Sequence, residues 1–172
     1  MKKLFLLFIL MLSQNSFAQT SIAGVKFGSS YETAKQLLIS KFGEPDLIDA
    51  NSIMFCNKMY AGETFNGISF GFIRDGAGNS FLNSCVLVED AKTLKDAIEF
   101  RDQLASVIGK SYEIDTLYDS ENTKYYRGGV SPVDSTKYAF LIDVVKYDKP
   151  HNGNNYFARI YYGPYEYVDE KF

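Results

Sequence analysis

"FGSSYETAKQLLISKFGEPD", residues 27–46, decides how the chain is read. Ser29 can cap a helix, with Glu32 three residues on at capping-box spacing. Tyr31, Ala34, Leu38 and Phe42 then recur near the helical period, with Leu37 beside them. Gly43 suits the position just past a helix, and Pro45 blocks its continuation. A second stretch repeats the scheme. Thr93, with Asp96 three residues on, opens a helix running from Ala91 or Leu94 to Ile108. Leu94, Ala97, Ile98, Leu104, Ala105 and Ile108 form its apolar face, and Gly109 ends it.

Strands fill the space after each helix. Alternating and β-branched or aromatic runs predict strands at 52–60, 67–73 and 81–88 after the first helix. After the second they predict strands at 112–118, 124–128, 137–146 and 155–162. Gly-rich "RDGAGNS" (74–80) reads as a hairpin turn, and "DKPHNGNN" (148–155) as a turn built from Pro and Asn-Gly. Moving the chain by 66 positions lays Leu38 on Leu104, Gly43 on Gly109, Ile48 on Ile114, Asp49 on Asp115, Tyr60 on Tyr126 and Gly62 on Gly128. These coincidences fall at helix ends, strand starts and turns, where a repeated unit keeps residues for backbone reasons. The fold expected is α+β: two helix-plus-antiparallel-meander repeats, about 22–88 and 90–165, with both helices on one face of the sheet. The other face is expected to be open and rich in Tyr and small residues.

Residues 1–18 read as a leader rather than as part of the fold. Lys2 and Lys3 precede an apolar run, Leu4 to Leu12, and a short polar stretch ends at Ser16-Phe17-Ala18. That is the layout of a secretory signal peptide cleaved after Ala18. The run is too short to span a bilayer as a helix, and no Cys follows it to take a lipid. The expected location is the periplasm or outside the cell, with a single domain over 19–172 and no membrane insertion after cleavage. Without the two leader lysines, 16 basic residues face 21 acidic ones, a net charge of −5. An acidic chain without a basic stripe does not suit nucleic acid, which is bound through clustered positive charge. Aromatics make up 16% of residues without a Trp, so Tyr and Phe supply the bulk. Tyr suits half-buried strands where the ring packs and the hydroxyl stays wet.

The order of elements over 24–165 resembles the tandem-repeat fold of the β-lactamase inhibitor proteins, secreted proteins whose helices pack on one side of a curved antiparallel sheet. The first helix is also similar to the helix-plus-Gly-Pro segment of BamE-type envelope assembly lipoproteins, and to secreted Bacteroidetes proteins that open on a like Phe-Gly-Ser helix. The resemblance implies binding rather than catalysis, and no contact residue is carried over from it.

Catalytic chemistry has few residues to use. His151, the sole histidine, falls in the 148–155 turn and reads as an exposed turn residue rather than a member of a Ser-His-Asp or Cys-His set. Asp75-Gly76-Ala77-Gly78-Asn79 lacks the alternating oxygen ligands of a calcium loop, and Gly128-Gly129 lacks the Lys-Ser/Thr of a phosphate loop. No cofactor or metal is expected. Asp115, Asp119, Glu121 and Asp143 could pair as in a glycosidase, which leaves a small secreted hydrolase as an outlying reading.

Cys56 and Cys85 sit in two predicted strands, in a compartment that permits a disulfide. If a third strand lies between them, their Cα atoms are about 9.5 Å apart, beyond the bridging limit of about 7 Å. The alternative is two small buried apolar residues.

The most suggestive stretch is 154–170, "NNYFARIYYGPYEYVDE". On a strand, Tyr156, Ala158, Ile160 and Tyr162 point one way, and Phe157, Arg159 and Tyr161 the other. One set meets the helices; the other forms an aromatic surface of the kind enriched at interfaces. Phe157, Arg159, Tyr161, Tyr165 and Tyr167 are the candidate binding surface. The function expected is a secreted or periplasmic module binding a protein, or a glycan, through this face and the loops at 74–80 and 128–135. The alternative is a structural or assembly component of the bacterial envelope.

Overall fold

The structure is a computed structural model that describes residues 20–131 and 137–163. It opens on a small hairpin, β1 (Ser21–Ile22) and β2 (Val25–Lys26), followed by helix α1 (Tyr31–Phe42). Four strands follow: β3 (Leu47–Ile48), β4 (Ser52–Tyr60), β5 (Glu63–Arg74) and β6 (Ser80–Ala91). Helix α2 (Leu94–Ile108) precedes four more: β7 (Ile114–Tyr118), β8 (Lys124–Gly128), β9 (Phe140–His151) and β10 (Asn154–Tyr162). The fold is α+β, with β3 to β10 in one antiparallel sheet of order β3-β4-β5-β6-β10-β9-β8-β7. Each helix therefore leads into a four-strand meander, and the two meanders meet where β6 pairs with β10.

Local chemistry sets the helix ends. In α1 the cap is Ser30, not Ser29; its hydroxyl accepts the Thr33 N–H. Ser29 instead ties the chain to the sheet, its carbonyl accepting the Leu82 N–H at 2.9 Å. Gly43 ends α1 at φ 83°, a conformation that favours glycine, and its N–H reaches the Ile39 carbonyl. Thr93 caps α2 by accepting the Asp96 N–H, as its spacing predicts.

Both helices cover the same side of the sheet. Ala34, Leu38 and Phe42 are buried on α1, with Phe42 against Phe55 and Phe70 at ring separations of 5.2 and 6.1 Å. Ala97, Leu104, Ala105 and Ile108 are buried on α2, which packs on β6, β9 and β10. The β1–β2 hairpin, not anticipated from sequence, adds Ile22 and Val25 to the same core. Its turn residues Ala23 and Gly24 both have positive φ, and two-residue strands are too short to show alternation. On the sheet, Ile53, Phe55, Ile68, Phe70, Cys85, Leu87, Ile142, Ala158 and Ile160 complete the core. Among the described residues no helix is long and apolar enough to cross a membrane.

The last hairpin departs from expectation. The strands run on to His151 and resume at Asn154, so the 148–155 turn contracts to Asn152-Gly153, both at positive φ. Pro150 lies inside β9. It falls in the irregular stretch between the pairs Tyr156–Lys146 and Asn154–His151, and β8 pairs with β9 only from Phe140 to Ile142. A missing N–H on an unpaired outer edge breaks no ladder bond.

The opposite face of the sheet

The side of the sheet away from the helices divides in two. One row crosses all eight strands by direct opposition: Asp115, Arg127, Leu141, Tyr161, Val86, Ser69, Met54 and Leu47. Its β7–β10 part is filled. The Arg127 guanidinium sits 4.1 Å from the centre of the Tyr138 ring, and Leu141 is only 4% exposed although no helix covers it. One position along, Arg159 grips Asp143 with both arms, Nε to Oδ1 at 2.7 Å and a terminal nitrogen to Oδ2 at 2.8 Å. That fork geometry is the strong form of this pair.

The β4–β6 part is bare. Met54 and Cys56 on β4, Gly67 and Ser69 on β5, and Val86 and Val88 on β6 make the floor of a groove of about 320 Å³. Its wall is Tyr147, His151 and Asn152 from the β9–β10 hairpin, and Asn66 and Asp90 close one end. Gly67 keeps the floor low, since a Cβ there would meet the Met54 methyl at 3.3 Å. Tyr147 reaches the groove across β10 by lying on Phe157, ring centres 4.6 Å apart. Its hydroxyl donates to Asp90 Oδ1 at 2.6 Å. Burial and this bond to a carboxylate push the phenol well above its ordinary pKa, so it stays a donor. His151 Nδ1 stands 3.6 Å from Asp90 Oδ2, an ion pair only when the imidazole is protonated.

Of the residues proposed from sequence, Phe157, Arg159 and Tyr161 share this face, as the alternation predicts, because Ala158, Ile160 and Tyr162 are buried towards the helices. Tyr165 and Tyr167 lie outside the described residues. Phe157 supports the groove wall, whereas Arg159 and Tyr161 belong to the filled part. The floor and Asp90 were not singled out from sequence. Asp90 and Tyr147 lie 57 positions apart, and nothing local links them. His151 is exposed, as expected, at 59%, but it ends strand β9 rather than sitting in the turn, and it leans on Tyr147, ring centres 5.6 Å apart.

The two cysteines are free thiols, which corrects the candidate disulfide. Strand β5 lies between β4 and β6, and the two side chains occupy opposite faces: Cys56 lines the groove and Cys85 is buried in the core. Burial raises the Cys85 thiol well above its usual pKa. Burial and the charge of Asp46 raise that of Cys56. Neither is an activated thiolate.

Three of the four acids considered for hydrolysis have other tasks. Asp143 holds Arg159, and Asp115 stands 4.0 Å from Arg127. Asp119 caps its own turn, accepting the Glu121 and Thr123 N–H groups. Asp75 closes the 74–80 hairpin by accepting from Ala77, Asn79 and the Asn79 amide. The 128–135 loop lies partly outside the described residues. Among the described residues no three His, Cys, Asp or Glu side chains cluster as a metal site. No family model, curated protein or solved structure matches this chain.

Proposed function

We propose that this protein is a binding module acting outside the cytoplasm, and that it holds a protein partner against the sheet face opposite its helices. The observation that carries the reading is the asymmetry of that face. The β7–β10 part is closed by its own ion pairs and aromatic contacts, whereas the β4–β6 part is an open groove floored by half-buried small and apolar side chains beside an aromatic wall. Apolar ground flanked by aromatic anchors is the make-up of an interface centre. The location rests on the signal-like residues 1–18. The choice of a protein partner also draws on the resemblance in order of elements to the secreted inhibitor proteins.

A photo-cross-linking amino acid at Met54, on the floor, and another at Leu37, exposed on α1, test the reading in the protein's own host. The expected result is a discrete adduct from position 54 and none from position 37. Equal adducts from both, or none from position 54, count against it.

A further inference from the structure

Asp90 is an unusual carboxylate. Its side chain is 9% exposed. It accepts one hydrogen bond from Tyr147, and among the described residues His151 is the only cationic type within ion-pairing reach. A carboxylate so withdrawn from water is costly without a counter-charge. The contrast is Asp143, nearby on the same face, which has both oxygens filled by Arg159. Among the described residues, Asp90 is also the only acidic one lining the groove, which has no Lys or Arg.

We propose that the groove takes a lysine side chain of the partner, with its ammonium on Asp90 Oδ2 and its aliphatic stem along Gly67 and Val88. This deepens the binding reading and rests on it. The size fits a side chain rather than a large cofactor, since about 320 Å³ is the low end of ligand sites, which run about 300–1,000 Å³. The geometry chooses Lys over Arg. The Tyr147 hydroxyl already takes one acceptor site of Oδ1, so a guanidinium fork would have to share that oxygen, whereas a point donor needs Oδ2 alone. Oδ2 keeps its acceptor sites for a point donor, because His151 at 3.6 Å is beyond hydrogen-bond length. The Tyr147 ring and the methyl-lined floor leave the stem in apolar surroundings, the division of labour a long cationic side chain favours.

The test titrates the protein with n-butylammonium, n-butylguanidinium and 1-butanol, following the amide resonances of Gly67, Asp90 and His151. Butylammonium should give saturable shifts at all three, butylguanidinium weaker ones and butanol none. Asp90→Asn keeps an oxygen for Tyr147 and should weaken butylammonium binding by about tenfold or more, the effect of losing one charge-assisted bond. Tyr147→Phe frees Oδ1 and should raise butylguanidinium affinity relative to butylammonium. Saturable binding that survives Asp90→Asn, equal shifts with butanol, or no binding by butylammonium overturns the proposal. If the amine fails while position 54 still cross-links a protein, lysine recognition falls and the binding face stands. If both fail, both fall.

Discussion

The two parts of the uncovered sheet face are made of the same strands' outward residues, yet they behave as opposites. Across β7–β10 the outward row holds Arg127 against Tyr138 and Arg159 against Asp143, so each large polar group is spent on a neighbour. Across β4–β6 the outward residues include Ser69, Gly67, Met54 and Val86, which have little to give one another. The first pattern stabilises the sheet; the second leaves the ground free. Since both meanders have their helix and core on the other side, stability does not require the β4–β6 face to stay an open groove, and the proposed partner would give that groove a use.

Stability measurements can break this contrast. Arg159→Ala strands Asp143 on a half-covered face. It should cost about 2 kcal/mol in urea unfolding, less than the ~3–5 kcal/mol of a fully buried pair because both side chains keep some water. Tyr147→Phe removes the hydroxyl bond to Asp90 and should cost about 1–2 kcal/mol, read as a lowered urea midpoint at unchanged slope. Ser69→Val, on the bare floor, should move stability by no more than about 0.5 kcal/mol. An effect of Ser69→Val equal to that of Arg159→Ala would erase the distinction between the two parts.

The helices and most strands are legible in sequence because their signals are local. The expected strands at 52–60 and 124–128 match β4 and β8 residue for residue, and the Thr93 cap is a three-residue spacing. What escapes is short, or long-range. β3 and the β1–β2 hairpin are two-residue strands with no room for a period. Pro150 reads as a breaker because sequence does not reveal that β9 has lost its outer neighbour by that point. Arg101, 3% exposed on the core face of α2, was not singled out from sequence. It is held by Asp102 and by the Lys124 carbonyl at 2.7 Å, from a strand 23 positions away. Its spacing from Ala97 and Ala105 was the available signal. The aromatic face of β10 is legible from alternation alone, but the groove is not. Its parts come from β4, β5, β6 and the far hairpin, brought together by the meeting of β6 with β10.

That meeting also separates what the helix at 27–46 does from what the protein does. α1 covers the β4–β6 floor from behind and fixes its position, and the proposed contact surface is the side it leaves open. Ser69→Tyr, which fills the floor between Met54 and Val86 without touching the core, tests this most directly when the Met54 cross-link is repeated in the variant. The melting temperature should stay within about 3 °C of the parent, the size of a sub-kilocalorie change, while the adduct is lost. An undiminished adduct from a folded Ser69→Tyr protein would contradict the proposed contact surface.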